Sequence, residues 1–185
     1  MIRKYIVFIV MLAVALSCTE NFEEFNADEK NPTDVEGEFL FSQGQKQLTD
    51  QISSTNVNLN VWKLFAQYWT ETTYTDEENY DIINRNIPEN TFDEYYVDAL
   101  NSFKEASRLI EEDPLGPGET EAQKTKKLMI IELLEIYAYQ RLVDMFGNIP
   151  YSEALDIETI SPKYDDAAGV YSDLMSRLNT AIGNM

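Results

Sequence analysis

Beyond residue 34 the apolar positions recur mostly at spacings of three and four, the period of a helix buried along one face. A helix is predicted from Asp34 or Val35 to Ser53-Ser54, with Phe41, Gln45, Leu48 and Ile52 on one face and Leu40 and Gly44 beside them. A second is predicted from Leu59 to Thr70. There Trp62, Phe65, Ala66 and Trp69 repeat at three and four, and Leu64 and Tyr68 widen the arc. That spacing puts Trp62 and Trp69 on one core-facing stripe. The β-branched and polar string Thr70 to Thr75 then weakens helix propensity. Asp76 to Pro88 reads as a long connection, packed through Tyr80, Ile82, Ile83 and Ile87. Thr91-Phe92-Asp93-Glu94 has the form of a capping box. It would open a third helix whose face is Phe92, Tyr96, Ala99, Phe103, Ala106 and Ile110, stopped by Pro114 to Gly118.

Thr120 and Gln123 can cap a fourth helix running to about Phe146. From Leu128 to Ala138 it is nearly all apolar, and Glu132, Glu135 and Tyr139 leave a narrow polar stripe. Such a helix is covered on more than one side. Arg141 precedes Asp144 by one turn and can pair with it. Gly147 to Pro150 closes the helix, Pro162 marks a second stop, and Asp165 or Asp166 can cap a fifth helix with the stripe Val170, Leu174, Leu178 and Ala181. No segment alternates with the period of a strand. The fold class is therefore all-α, built of antiparallel helix pairs, and no tetratricopeptide consensus is readable from the pattern.

The first segment follows a different rule. Arg3 and Lys4 precede an apolar run from Tyr5 to Leu16, shorter than the roughly 20 residues a membrane span needs and suited to a secretory signal. It ends in Ala15-Leu16-Ser17-Cys18. This resembles a bacterial lipoprotein signal: residues 1–17 removed, Cys18 lipidated, residues 18–33 a polar tether, and residues 34–185 the helical region. Several acyl chains on one residue anchor stably where one does not.

Composition narrows the chemistry. The chain of 185 residues carries 14 Lys and Arg against 33 Asp and Glu, a formal charge of -19. A duplex repels such a surface, so nucleic acid is excluded as a partner. The chain has no His and one Cys, which removes a Ser-His-Asp triad, a His-ligated metal and an internal disulfide. Asp76, Glu77, Glu78 and Asp81 could offer oxygen ligands to calcium, but they lack EF-hand spacing and read as a solvated connection. A hydrolase built on paired carboxylates is a weak reading, because 33 acids supply chance pairs everywhere. No catalytic residue, metal ligand or cofactor is assigned. The densest aromatic group is Trp62, Tyr68, Trp69, Tyr74 and Tyr80. Sugar faces stack on such rings, and Tyr68, Trp69, Tyr74 and Tyr80 are the candidate ligand or partner contacts.

Several stretches match a known family. They are Cys18, NPT (31–33), AQYWTETTY (66–74), NYD (79–81), VDMFGNIPYSEAL (143–155) and PKYD (162–165). Through them the chain resembles the SusD/RagB-type surface lipoproteins, in the SusD-like group. The resemblance implies a helical body of tetratricopeptide-like pairs, a lipid anchor in the outer membrane facing the exterior, and a TonB-dependent barrel transporter (SusC-like) as partner. It implies capture of a glycan or oligopeptide rather than catalysis. It also implies that the chain corresponds to the N-terminal portion of a full-length member, most of whose sugar platforms lie in later regions. The alternative is a helical lipoprotein module that docks a partner or serves the envelope without a ligand site of its own.

Overall fold

The computed structural model describes residues 35–185. The expected signal, Cys18 and the tether lie outside the described residues. Glu36 to Met185 forms one compact unit. Its elements are α1 (Gly37–Ser53), the single turn α2 (Trp62–Phe65), α3 (Ile87–Asp93), a π-helical segment (Glu94–Leu100), α4 (Asn101–Glu112), α5 (Glu121–Phe146), β1 (Ile149–Pro150), β2 (Tyr164–Asp165) and α6 (Ala167–Gly183). The fold is all-α apart from one antiparallel two-residue ladder that pairs Ile149 with Asp165 and Pro150 with Tyr164. α1 packs on the π segment and α4, α4 on α5, and α5 on α6. The core joins Leu48 of α1, Tyr95, Tyr96 and Leu100 of the π segment, Phe103 of α4, Leu142 of α5 and Leu174 of α6. No described helix is long and apolar enough to cross a membrane.

α5 begins where the pattern puts it. The Thr120 side chain accepts from the Gln123 backbone N–H, and the Gln123 side chain accepts from the Thr120 N–H. Asp166 caps α6 by accepting from the Gly169 N–H at 3.2 Å. The stretch 143–155 is structural. Gly147, at φ 74°, ends α5, and Ile149 is fully buried. The Tyr96 hydroxyl donates to the Pro150 carbonyl, and the Asp165 carboxylate accepts from the backbone N–H groups of Tyr151 and Ser152.

Other expectations need correction. On α1 the core side is Gly37, Gly44, Leu48 and Gln51, while Gln45 is exposed. Glycine has no hydrophobic signal, yet here it lets two helices approach. A Cβ on Gly44 would sit 2.8 and 2.9 Å from carbons of the Phe103 ring.

α2 is one turn rather than three. The Gln67 N–H donates to the Leu64 carbonyl at 2.8 Å and the Tyr68 N–H to the Lys63 carbonyl at 2.9 Å, with Gln67 left-handed at φ 58°. This is a Schellman closure, and it ends the stripe on which Trp62 and Trp69 were to share a face. Both are 43% exposed, and Val61 and Leu64 are the buried residues instead.

Thr91 does not cap a helix. α3 already begins at Ile87, with Pro88 in its first turn after a left-handed Asn86. Proline's fixed φ suits that place and its missing N–H is not needed there. Thr91 is buried within the helix and donates to the Ile87 carbonyl at 2.8 Å. The wider π turn that follows brings both Tyr95 and Tyr96 into the core.

In the 76–88 connection Ile87 is buried and Ile82 half-buried as expected, and a buried charge adds to their hold. Glu77 is fully buried with the Arg85 Nε 3.1 Å away, while Tyr80 and Ile83 are exposed. The acidic connection is thus not wholly solvated. Among the described residues, no group of three or more acidic, His or Cys side chains is arranged to hold a metal ion.

The narrow polar stripe of α5 faces α6, not water. Arg177 donates through Nε and Nη2 to the two oxygens of Glu132 at 2.6 and 2.7 Å, and through Nη2 to Glu135 at 3.0 Å. Tyr139 is buried beside them. Burial pushes the Glu135 carboxyl up to about 7, with Arg177 pulling it down, Glu132 raising it and Lys104 lowering it slightly. A carboxyl whose pKa is raised on folding holds its proton better in the folded state. Its contribution is therefore complete below about pH 4.5 and is lost as pH rises toward 7. Relative to Glu135→Gln, the wild type is expected to lose on the order of 2 kcal/mol between those limits, measured as urea unfolding free energy against pH. Parallel curves for the two proteins would contradict this.

Candidate functional site

Where α2 stands over the C-terminal half of α5, the described surface has a cavity of about 690 Å³. Its aromatic wall is Trp62, Phe65 and Tyr68, with Asn60, Lys63, Arg141 and Asp144 supplying the polar groups. The backbone sets these positions. The one-turn helix brings Trp62 and Phe65 edge to face, with ring centres 5.7 Å apart and planes at 84°. The Schellman closure then swings Tyr68 outward, leaving it 83% exposed. Tyr80 packs 5.1 Å from Phe65 and donates its hydroxyl to the Phe65 carbonyl at 3.2 Å.

Two polar atoms on this wall are buried without a partner among the described residues. Asn60 uses its amide N–H on the Ile52 carbonyl at 3.0 Å, which leaves its Oδ1 with no donor. The Arg141 Nε has no acceptor. A buried polar atom left unpaired costs about 1–3 kcal/mol, so a group that pairs it is stabilised there. The expected Arg141–Asp144 pair does not form. Asp144 accepts from the Tyr171 hydroxyl and, at 3.4 Å, from the Gln140 amide. The cavity thus sets exposed ring faces beside the side chains of Asn60, Lys63, Arg141 and Asp144, while the two orphan atoms lie just beneath its surface. A saccharide supplies the complements, since each hydroxyl both donates and accepts and its C–H faces are apolar.

Of the residues singled out in the sequence, Tyr68 lines the cavity and Tyr80 supports it through Phe65. Trp69 is not in the wall. Its ring carries the Lys63 ammonium, 4.5 Å from the ring centre. Tyr74, left-handed at φ 61° and 75% exposed, is also outside the wall. Trp62, Asn60 and Arg141 were not singled out. Trp62 looked like core because its spacing implied a longer helix. Arg141 had an apparent partner one turn away. Asn60 shows its vacant oxygen only once the backbone is placed.

The chain belongs to the SusD-like family, described as starch-binding and associating with the outer membrane; the family model matches residues 29–185. The match takes in every element that builds the cavity. The family is thus defined by binding a saccharide rather than by turning one over. No curated protein matches the chain.

Proposed function

We propose that this chain is the saccharide-capturing, lipid-anchored component of an outer-membrane uptake complex. It holds a glycan at the Trp62–Phe65–Tyr68 cavity and delivers it to a TonB-dependent barrel transporter. Residues 1–17 direct export, Cys18 carries the lipid, residues 18–33 form the tether, and the helical body faces the exterior. The observation that supports glycan capture is the exposure of the Trp62 and Tyr68 rings beside the polar side chains of Asn60, Lys63, Arg141 and Asp144 in one cavity. Tyr74, exposed beyond the cavity wall, is proposed as a contact for the far end of the ligand or for the barrel.

The test is calorimetric titration of the full chain with maltooligosaccharides and with uronic-acid oligosaccharides. Trp62→Ala is expected to weaken binding of whichever saccharide binds by about tenfold or more, about 1.4 kcal/mol. Because Trp62 is half exposed, its loss should leave the fold intact. Unchanged affinity in the variant, or no binding of either saccharide by the wild type, would count against the cavity as the capture site.

A further inference from the structure

We propose that the ligand carries an anionic group, a carboxylate or a sulfate on the saccharide, seated between Arg141 and Lys63. This deepens the reading above and rests on it.

Charge accounting carries the proposal. The chain has more than twice as many acids as bases, so a cation without a carboxylate partner stands out. Arg85 sits against Glu77 and Asp76, Arg108 against Glu105 and Glu112, and Arg177 against Glu132 and Glu135. Arg141, the remaining arginine among the described residues, has no such partner. Its nearest acid in sequence, Asp144, accepts from Tyr171 and Gln140. The neutral Tyr95 hydroxyl beside it is its hydrogen-bond neighbour: burial raises that hydroxyl above its ordinary value, and the hydrogen bond and charge of Arg141 offset only part of the rise. The guanidinium therefore has no carboxylate within ion-pair distance among the described residues, and with Lys63 it gives the cavity wall two positive charges against the single negative charge of Asp144.

The second cation on that wall has no carboxylate either. The Lys63 ammonium lies over the Trp69 ring and reaches the Ser54 carbonyl at 3.5 Å. Of the other described lysines without a carboxylate partner, Lys104 and Lys124 are engaged by backbone carbonyls and Lys126 is exposed to solvent, and none of the three lines this cavity. A guanidinium is suited to the planar fork of a carboxylate or to two oxygens of a sulfate, and an ammonium adds a point charge. The exposed rings of Trp62 and Tyr68 favour a saccharide carrier over an acidic peptide, because they match its C–H faces.

The experiment compares oligosaccharides of equal length on the full chain: a neutral α-glucan, an oligogalacturonate and a sulfated oligosaccharide, with an acidic peptide as a fourth arm. At least one acidic saccharide is expected to bind tenfold or more tighter than the neutral one, and the carboxylate and sulfate arms show which anion is preferred. Arg141→Gln is expected to bring the acidic-to-neutral affinity ratio to about one, the ratio being read separately from any loss of neutral affinity that removing a cavity side chain causes. Lys63→Gln is expected to reduce it about threefold. In the wild type, added salt should weaken acidic but not neutral binding. Equal or tighter binding of the neutral glucan, or a preference that survives both substitutions, would overturn the anion site and leave glycan capture standing. Tighter binding of the acidic peptide would overturn the saccharide assignment. Failure of every saccharide to bind would overturn both readings.

Discussion

Arg177→Leu is expected to lower the unfolding free energy by about 3–5 kcal/mol, the usual cost of leaving partly buried charge uncompensated. Arg177 is the only cation shared by Glu132 and Glu135 among the described ion pairs, and its Nη1 also donates to the Tyr151 hydroxyl at 2.9 Å. Its guanidinium lies 6.0 and 5.9 Å from the ring centres of Tyr139 and Tyr151. Without it, two carboxylates from one turn of α5 face a leucine across the α5–α6 contact. Protonating Glu135 relieves part of the conflict at low pH, so the loss should be larger at pH 8 than at pH 5. The triple variant with Glu132→Gln and Glu135→Gln is expected to recover most of the stability, because the buried charge is then gone. The urea midpoint reads each step. A loss below about 1 kcal/mol for Arg177→Leu alone would show that the cluster does not hold α6 to α5.

Gly44→Leu should be nearly as damaging, at about 3 kcal/mol, near the upper end for overpacking a filled core. A first side-chain carbon at this position already meets the Phe103 ring at 2.8 Å and the Ala99 carbonyl oxygen at 3.2 Å. Phe103 is fully buried, so its ring can yield only by displacing the core residues packed on it. Leucine also raises helix propensity by roughly 0.8 kcal/mol over glycine, so a purely local account expects stabilisation. The sign of the change in melting temperature separates the two. A rise would mean that α1 does not approach α4 as closely as described.

These residues also show what the sequence can reveal. Long, strongly periodic helices were legible. The Thr120 capping box, the face from Phe92 to Ile110 and the stripe through Val170 and Leu174 all follow from spacing, because burial of one face sets that spacing. Gly44 was not legible as a contact, since its role is the absence of a side chain. The polar stripe of α5 was visible but its partner was not, because Arg177 lies 42 residues after Glu135 and nothing local announces it. The short α2 was overextended, because the pattern of apolar residues carries on past Ala66 while the backbone reverses at Gln67. The same reversal moves Trp62 out of the expected core and creates the cavity. The site was therefore readable as an aromatic-rich neighbourhood through Tyr68 and Tyr80. Its polar half, Asn60 and Arg141, depends on atoms left unpaired by contacts that only the folded chain defines.

The central claim is that saccharide meets this protein at the wall between α2 and α5. Chemical-shift mapping of the labelled full chain during titration with an acidic oligosaccharide tests it most directly. The largest changes are expected at the Trp62 indole N–H, the Asn60 side-chain amide and the Arg141 Nε–H. Shifts confined to residues remote from that wall, with these three signals unmoved at saturation, would contradict the account.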